Sequence, residues 1–151
     1  MALFETLYFE DLALGMRATI RKQVENEDVI GFAELSGDHN PIHLSEHFAR
    51  KTRFGGRIVH GLYTASLISG VIGMRLPGPG AVYVSQTLNF RAPVRIGDTV
   101  EVTVVVAELF PERLRARLTC ICRVKNDIVL DGEALVNVPS QAAKGRPQPR
   151  L

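Results

Sequence analysis

Residues 58–74, IVHGLYTASLISGVIGM, carry no formally charged side chain apart from His60 when protonated, and they are rich in Gly, Ala and Ser. This composition predicts a single helix. A helix that is apolar on nearly all sides belongs in an interior, and its small residues let a neighbour approach the backbone closely. Its 17 residues would span about 25 Å at 1.5 Å per residue, enough to run through a small domain. Leu67, Val71 and Ile72 form its apolar stripe, which is first of all a core. LPGPG (76–80) stops it.

After the helix the period changes to two. AVYVSQTLNF (81–90), DTVEVTVVVAELF (98–110), RLRARLTCICRV (113–124) and IVLDGEALVNV (128–138) alternate and are rich in Val, Leu and Thr. Short turns at Ile96–Gly97, Pro111–Glu112 and Asn126–Asp127 predict consecutive hairpins and an antiparallel sheet. Before the helix, MRATIRKQV (16–24) reads as a further strand, with Met16, Ala18, Ile20, Lys22 and Val24 on one face. Asn26 is the expected N-cap of a short amphipathic helix at about 27–36, carrying Val29, Phe32, Ala33 and Ser36, and Gly37 ends it. The expected architecture is α+β: one buried helix and a five-stranded meander long enough to curl around it.

The bulk properties fit this picture. The chain has 151 residues, 46% hydrophobic and 23% charged, one domain's worth of sequence with enough apolar content for a core. It has no apolar run of membrane-spanning length, about 18 residues, so no membrane association is expected. The opening MALFETLYFEDL contains Glu5, Glu10 and Asp11 and no basic n-region, an expectation against a signal peptide and for a cytoplasmic protein. The net charge is +2, but the last 13 residues, PSQAAKGRPQPRL, supply +3 through Lys144, Arg146 and Arg150. Residues 1–138 therefore sum to −1, which gives no basic footprint for a nucleic acid. Residues 139–151 read as a disordered basic tail on a single domain, 1–138.

The stretch SGDHNPIHLSEHFARKTRFGG (36–56) is different. It is polar, holds three of the four histidines, and is broken by Pro41 and three glycines. Long connections in compact domains tend to be functional. Within SGDHNPIH (36–43), Gly37 and Pro41 exclude a regular helix, so Asp38, Asn40 and His43 can converge on one small volume. An acid and an imidazole around one water make a general acid–base pair suited to near-neutral pH. The competing reading is that Asp38 and Asn40 only satisfy turn backbone groups.

SGDHNPIH, followed by IVHGLYTASLISG, LPGPG, LNFRAPVRIGDTV (88–100) and GEALV (132–136) in that order, closely resembles the MaoC-like family of (R)-specific enoyl-CoA hydratases. The resemblance covers roughly residues 10–138. It implies a hot-dog fold, a long central helix wrapped by a curved antiparallel sheet with an overhanging active-site segment. It implies the hydration of a trans-2-enoyl-CoA thioester to (R)-3-hydroxyacyl-CoA, a product that can supply polyhydroxyalkanoate synthesis or fatty-acid oxidation. No cofactor is implied, since CoA arrives with the substrate, and a homodimer is. Asp38 and His43 match the catalytic pair that holds one water, and Asn40 between them fixes their geometry. Gly61 matches the glycine whose N–H bonds the thioester carbonyl. Ser69 matches a helix serine beside the catalytic segment. Arg91 and Arg95 are candidates for the CoA phosphates, and Ile72 and Leu135 for the end of the acyl tunnel, where they would favour enoyl groups of about four to six carbons, each methylene being worth about 0.8 kcal/mol of burial.

Which of Asp38 and His43 is the base is open at this level; the imidazole is favoured because its ordinary pKa of about 6.5 lies nearest operating pH. His39, His43 and His47 fall at i, i+4 and i+8, but Pro41 breaks any shared helix, so no metal site is expected. His60 is expected to be structural, and Cys120 and Cys122 to be buried on one strand face. The alternatives are a hot-dog thioesterase, disfavoured because residues 58–74 contain no Asp or Glu, and a non-catalytic acyl-CoA-binding module.

Overall fold

The computed structural model describes residues 5–143. Its elements are β1 (Arg17–Gln23), α1 (Asn26–Ser36), α2 (Pro41–Leu44), α3 (Glu46–Ala49), α4 (Gly61–Met74), β2 (Val82–Gln86), β3 (Asn89–Phe90), β4 (Thr99–Phe110), β5 (Arg115–Val124) and β6 (Asp127–Asn137). Among these residues the strands form one six-stranded antiparallel sheet in the order β1-β4-β5-β6-β2, with β3 also pairing β6.

The alternation read from the sequence sets the inner face. Val100, Val102, Val104 and Val106 on β4 point inward, and Ala116, Leu118, Cys120 and Cys122 on β5 do the same. Register places Val102 opposite Cys122 and Val104 opposite Cys120, and on the other side Leu118 opposite Ala134. The two cysteines are fully buried and free; burial pushes their thiols up, to about 11 for Cys120 and about 12 for Cys122. In β1 the one charge in the apolar row, Lys22, is answered by Asp28 at 3.3 Å.

α4 packs its Tyr63, Thr64, Ile68, Val71 and Ile72 side against this face, chiefly on β4. A long helix held in a curved antiparallel sheet is the hot-dog arrangement. The helix is shorter than expected: it starts at Gly61, so its 14 residues span about 21 Å. The cause is tertiary. Ile58 donates to the Ile42 carbonyl and Val59 to the Val94 carbonyl, which ties residues 58–60 into an extended link. Nor is α4 covered all round. In the single chain Leu62, Ser66, Ser69, Gly70 and Met74 form an exposed stripe.

Two further expectations change. Asn26 is the first residue of α1 rather than its cap; Glu25 takes that place, its N–H donating to the Asp28 carboxylate at 2.8 Å. Gly37 ends α1 in the left-handed region, φ 79°, where glycine carries no penalty. The stretch 81–90 is two strands, and both pair β6 instead of forming a hairpin with β4. The edge of β4 that such a hairpin would need is occupied by β1. Gly132 makes the crossing over β6 possible, since a Cβ there would stand 1.9 Å from the Thr87 carbonyl oxygen.

Beyond β6, the Pro139 carbonyl accepts from Phe9 N–H, and the Ser140 hydroxyl donates to the Glu10 carboxylate. Lys144, Arg146 and Arg150, the charges of the expected tail, lie outside the described residues. No helix among the described residues is long and apolar enough to cross a membrane.

Candidate active site

Residues 36–43 build their own scaffold. The Ser36 hydroxyl donates to the Phe32 carbonyl at 2.6 Å and accepts from Asp38 N–H at 3.1 Å. Asp38 Oδ1 accepts from Asn40 N–H, and Asn40 Oδ1 caps α2 by accepting from Ile42 N–H, each at 3.1 Å. Pro41 occupies the first position of α2, where its missing N–H costs nothing. The turn chemistry and the candidate chemistry therefore coexist: one oxygen of Asp38 serves the turn, and the other is left for the cleft. Because Asn40 starts α2, it fixes where His43 projects.

His43 is 8% exposed. Its Nδ1 lies 2.8 Å from the Ile58 carbonyl. A carbonyl only accepts, so Nδ1 carries the proton and Nε2 presents a lone pair. That lone pair faces Asp38 Oδ2 at 3.9 Å, too long for a direct hydrogen bond. One water about 2.8 Å from both atoms would span the gap at an angle of roughly 90°. Burial is the main cause holding the His43 pKa below its ordinary value. The Ile58 carbonyl and Asp38 oppose this shift, while His60 and Arg57 reinforce it. An imidazole so placed remains a free base to lower pH than one in water.

The pair opens into a cleft of about 470 Å³, which Gly61 also lines. The Gly61 N–H lies at the N-terminus of α4, where unpaired amides and the helix dipole favour developing negative charge. The Phe90 ring packs so closely on Gly61 that a Cβ there would lie 2.7 Å from its Cε1. Further along, the wall is apolar, made by Val94, Val129 and Leu130. Thr64 lines it too, 1% exposed, its hydroxyl without a partner among the described residues.

Asp38, His43, Gly61 and Arg91 thus meet at one cleft. Arg91 stands at its edge, bonded through Nε and Nη2 to Asp131 at 3.1 and 3.2 Å. Arg95 donates to the Phe54 and Gly56 carbonyls at 2.7 and 3.4 Å and does not line the cleft. Ser69 lies on the exposed stripe of α4. Ile72 is core, 3% exposed, and Leu135 is half-buried on β6, between Ser85 and Arg117; neither is on the cleft wall. His39 turns to the Gly37 carbonyl, so the three loop histidines do not meet. Asp38, His43 and His60 do bring potential ligand atoms within 4.8 Å of one another. The two imidazoles, however, stack nearly parallel, so their in-plane lone pairs do not converge on one ion. His60, Thr64, Phe90 and the Val94–Val129–Leu130 wall were not legible as site residues, since they come from five separate segments of the chain; only the place of His60 next to Gly61 hinted at one of them.

The MaoC like domain matches residues 13–120. The chain is 69% identical over 135 residues to a 3-hydroxybutyryl-CoA dehydratase of Methylorubrum extorquens, covering 89% of this chain and 86% of that one. It is 48% identical over 134 residues to an (R)-specific enoyl-CoA hydratase of Rhodospirillum rubrum, covering 89% and 93%. Among solved structures, the R-hydratase PhaJ1 of Pseudomonas aeruginosa superposes with a TM-score of 0.86 at 36% identity, covering 90% of this chain and 88% of that one. Family match, relatives and fold agree with the motif and the cleft: the chain belongs to the MaoC-like family of hot-dog proteins.

Proposed function

We propose that this protein adds water reversibly to trans-2-enoyl-CoA thioesters, giving (R)-3-hydroxyacyl-CoA. The observation that carries the reading is the His43 Nε2 lone pair facing Asp38 Oδ2 at 3.9 Å beside the Gly61 amide. In this mechanism the Asp38 carboxylate accepts one hydrogen of the water and orients it. His43 Nε2 takes the other proton, and the hydroxyl adds to C3. The C2–C3 π electrons move toward the thioester carbonyl, whose oxygen gathers negative charge at the Gly61 N–H. The imidazolium then returns its proton to C2 from the same face, with Asp38 balancing its charge meanwhile. Water is added and nothing is oxidised, so the reaction calls for no cofactor.

Asn40 acts through geometry, by capping the helix that carries His43. Arg91 is the better placed of the two expected phosphate contacts, because it stands at the cleft while Arg95 lies off it and is held by backbone carbonyls. The acyl group would lie along Val94, Val129 and Leu130. The names of the relatives support the thioester substrate and the (R) outcome. The uncovered stripe of α4 supports a homodimer, and Ser69 would meet the second copy there.

The test is loss of enoyl absorbance on adding crotonyl-CoA, with free thiol followed in parallel and the product's chirality read by an (R)-specific dehydrogenase. Hydration without thiol release, giving the (R) product, is expected. Thiol release without hydration would make the protein a thioesterase, and silence in both channels would leave a binding module.

A further inference from the structure

His60 is a buried titratable side chain on the cleft wall that the mechanism leaves unused. It is 2% exposed, and although it stands at the N-cap position of α4, its side chain does not cap the helix. Instead the ring turns back toward the loop. Nε2 lies 3.0 Å from the main-chain carbonyl of Asp38, 22 residues away in sequence. The carbonyl only accepts, so Nε2 carries the proton. The ring stacks on His43 with centroids 3.8 Å apart and planes 27° apart. Phe32 of α1 closes it from the side, edge-on at 4.9 Å. Nδ1 has no partner among the described residues.

We propose that His60 is a positioning residue: its Nε2–H tethers the Asp38 backbone while its ring supports His43, so that the His60–Gly61 dipeptide sets the acid–base pair and the oxyanion amide in one frame. The inference rests on the hydratase reading above. The other backbone tether of Asp38 is local, its N–H to Ser36, and moves with the loop. The bonds of Ile58 to Ile42 and His43 register the α2 end of that loop; His60 is what registers Asp38 itself on the start of α4, and Gly61, the next residue, presents the amide. The two halves of the site come from segments with no covalent reason to keep their spacing. A displacement of about 1 Å between such groups costs on the order of 10² in rate.

Three measurements on the full chain test it. In the imidazole ¹⁵N spectrum of the wild type, His60 should show the Nε2–H tautomer; any other protonation pattern overturns the proposal, and this reading needs no activity. His60→Phe keeps the ring and its stack but loses the donor. It should lower kcat for crotonyl-CoA hydration at least about 10-fold with KM within about threefold. His60→Gln places an amide N–H where Nε2 was and should recover kcat to within about fivefold of wild type. Both variants remove an imidazole that faces His43 alongside Asp38 and Arg57, so both should move the acid limb of kcat/KM upward. Phe within threefold of wild type, or Gln no better than a folded Phe variant, overturns the proposal. Should the wild type itself hydrate no enoyl-CoA, the hydratase reading falls instead, and the ¹⁵N tautomer alone decides the tether. Should Phe fail to fold, Gln and the tautomer decide.

Discussion

Replacing Gly61 by Ala isolates the amide side of the site. A Cβ at this position would lie 2.7 and 2.8 Å from Cε1 and Cδ1 of Phe90. Ordinary carbon contacts begin near 3.4 Å, so ring and helix must part by about 0.7 Å. Phe90 is 56% exposed and can swing outward, and Gly61 is not among the positive-φ glycines, so alanine fits its backbone and gains about 0.4–1 kcal/mol from a less free unfolded chain. Stability should therefore hold, with Tm within about 3 °C of wild type. Activity should not. The amide N–H survives, but the wall opposite it moves by most of an ångström, and misplacement on that scale costs about 10- to 100-fold. The assay is kcat/KM for crotonyl-CoA on Gly61→Ala and on Gly61→Ala/Phe90→Ala. Recovery in the double variant would trace the loss to the displaced ring, and its absence to crowding at the amide itself. A single variant within threefold of wild type would refute the idea that the thioester oxygen sits against Gly61.

Asp38→Asn and His43→Gln should each lower kcat by at least about 10² with unchanged circular dichroism; either variant within threefold of wild type removes its residue from the mechanism. Because His43 must be unprotonated to act as base and burial holds its pKa down, kcat/KM should fall only as pH drops through a midpoint below the ordinary 6.5; an acid limb centred above that value contradicts the assignment. In Gly132→Ala the Thr87 carbonyl must retreat by more than an ångström, which strains the Thr87–Glu133 hydrogen bonds at 2.8 and 2.9 Å. The cost should be at least about 2 kcal/mol, read as a Tm lowered by several degrees; a shift under 2 °C would deny the crossing its role. Light scattering should give about twice the 16.6 kDa of one chain, and an active monomer would leave the stripe on α4 unexplained.

The strands of the meander were legible because the period of two is local. The stretches read as 98–110, 113–124 and 128–138 fall within two residues of β4, β5 and β6 at either end. That Asp38 and His43 come together was legible for the same reason: they are five residues apart, and Gly37, Asn40 and Pro41 supply the turn that brings them to one cleft. The family resemblance drew on these same local strings.

What the sequence left open are the choices made between segments far apart in the chain. The stretch 81–90 looks like any strand, and only the occupation of β4 by β1 sends it to β6. Residues 58–60 read as helix until Ile42 and Val94 claim their amides. The tautomers of His43 and His60 depend on carbonyls 15 and 22 residues away. Arg91 and Arg95 look alike in sequence, and only the fold pairs one with Asp131 at the cleft and the other with the carbonyls of the loop at 54–56. Side-chain periodicity and turn chemistry are written in neighbouring residues, whereas strand partners, buried hydrogen bonds and the shape of a cleft arise only once distant segments compete for the same surface.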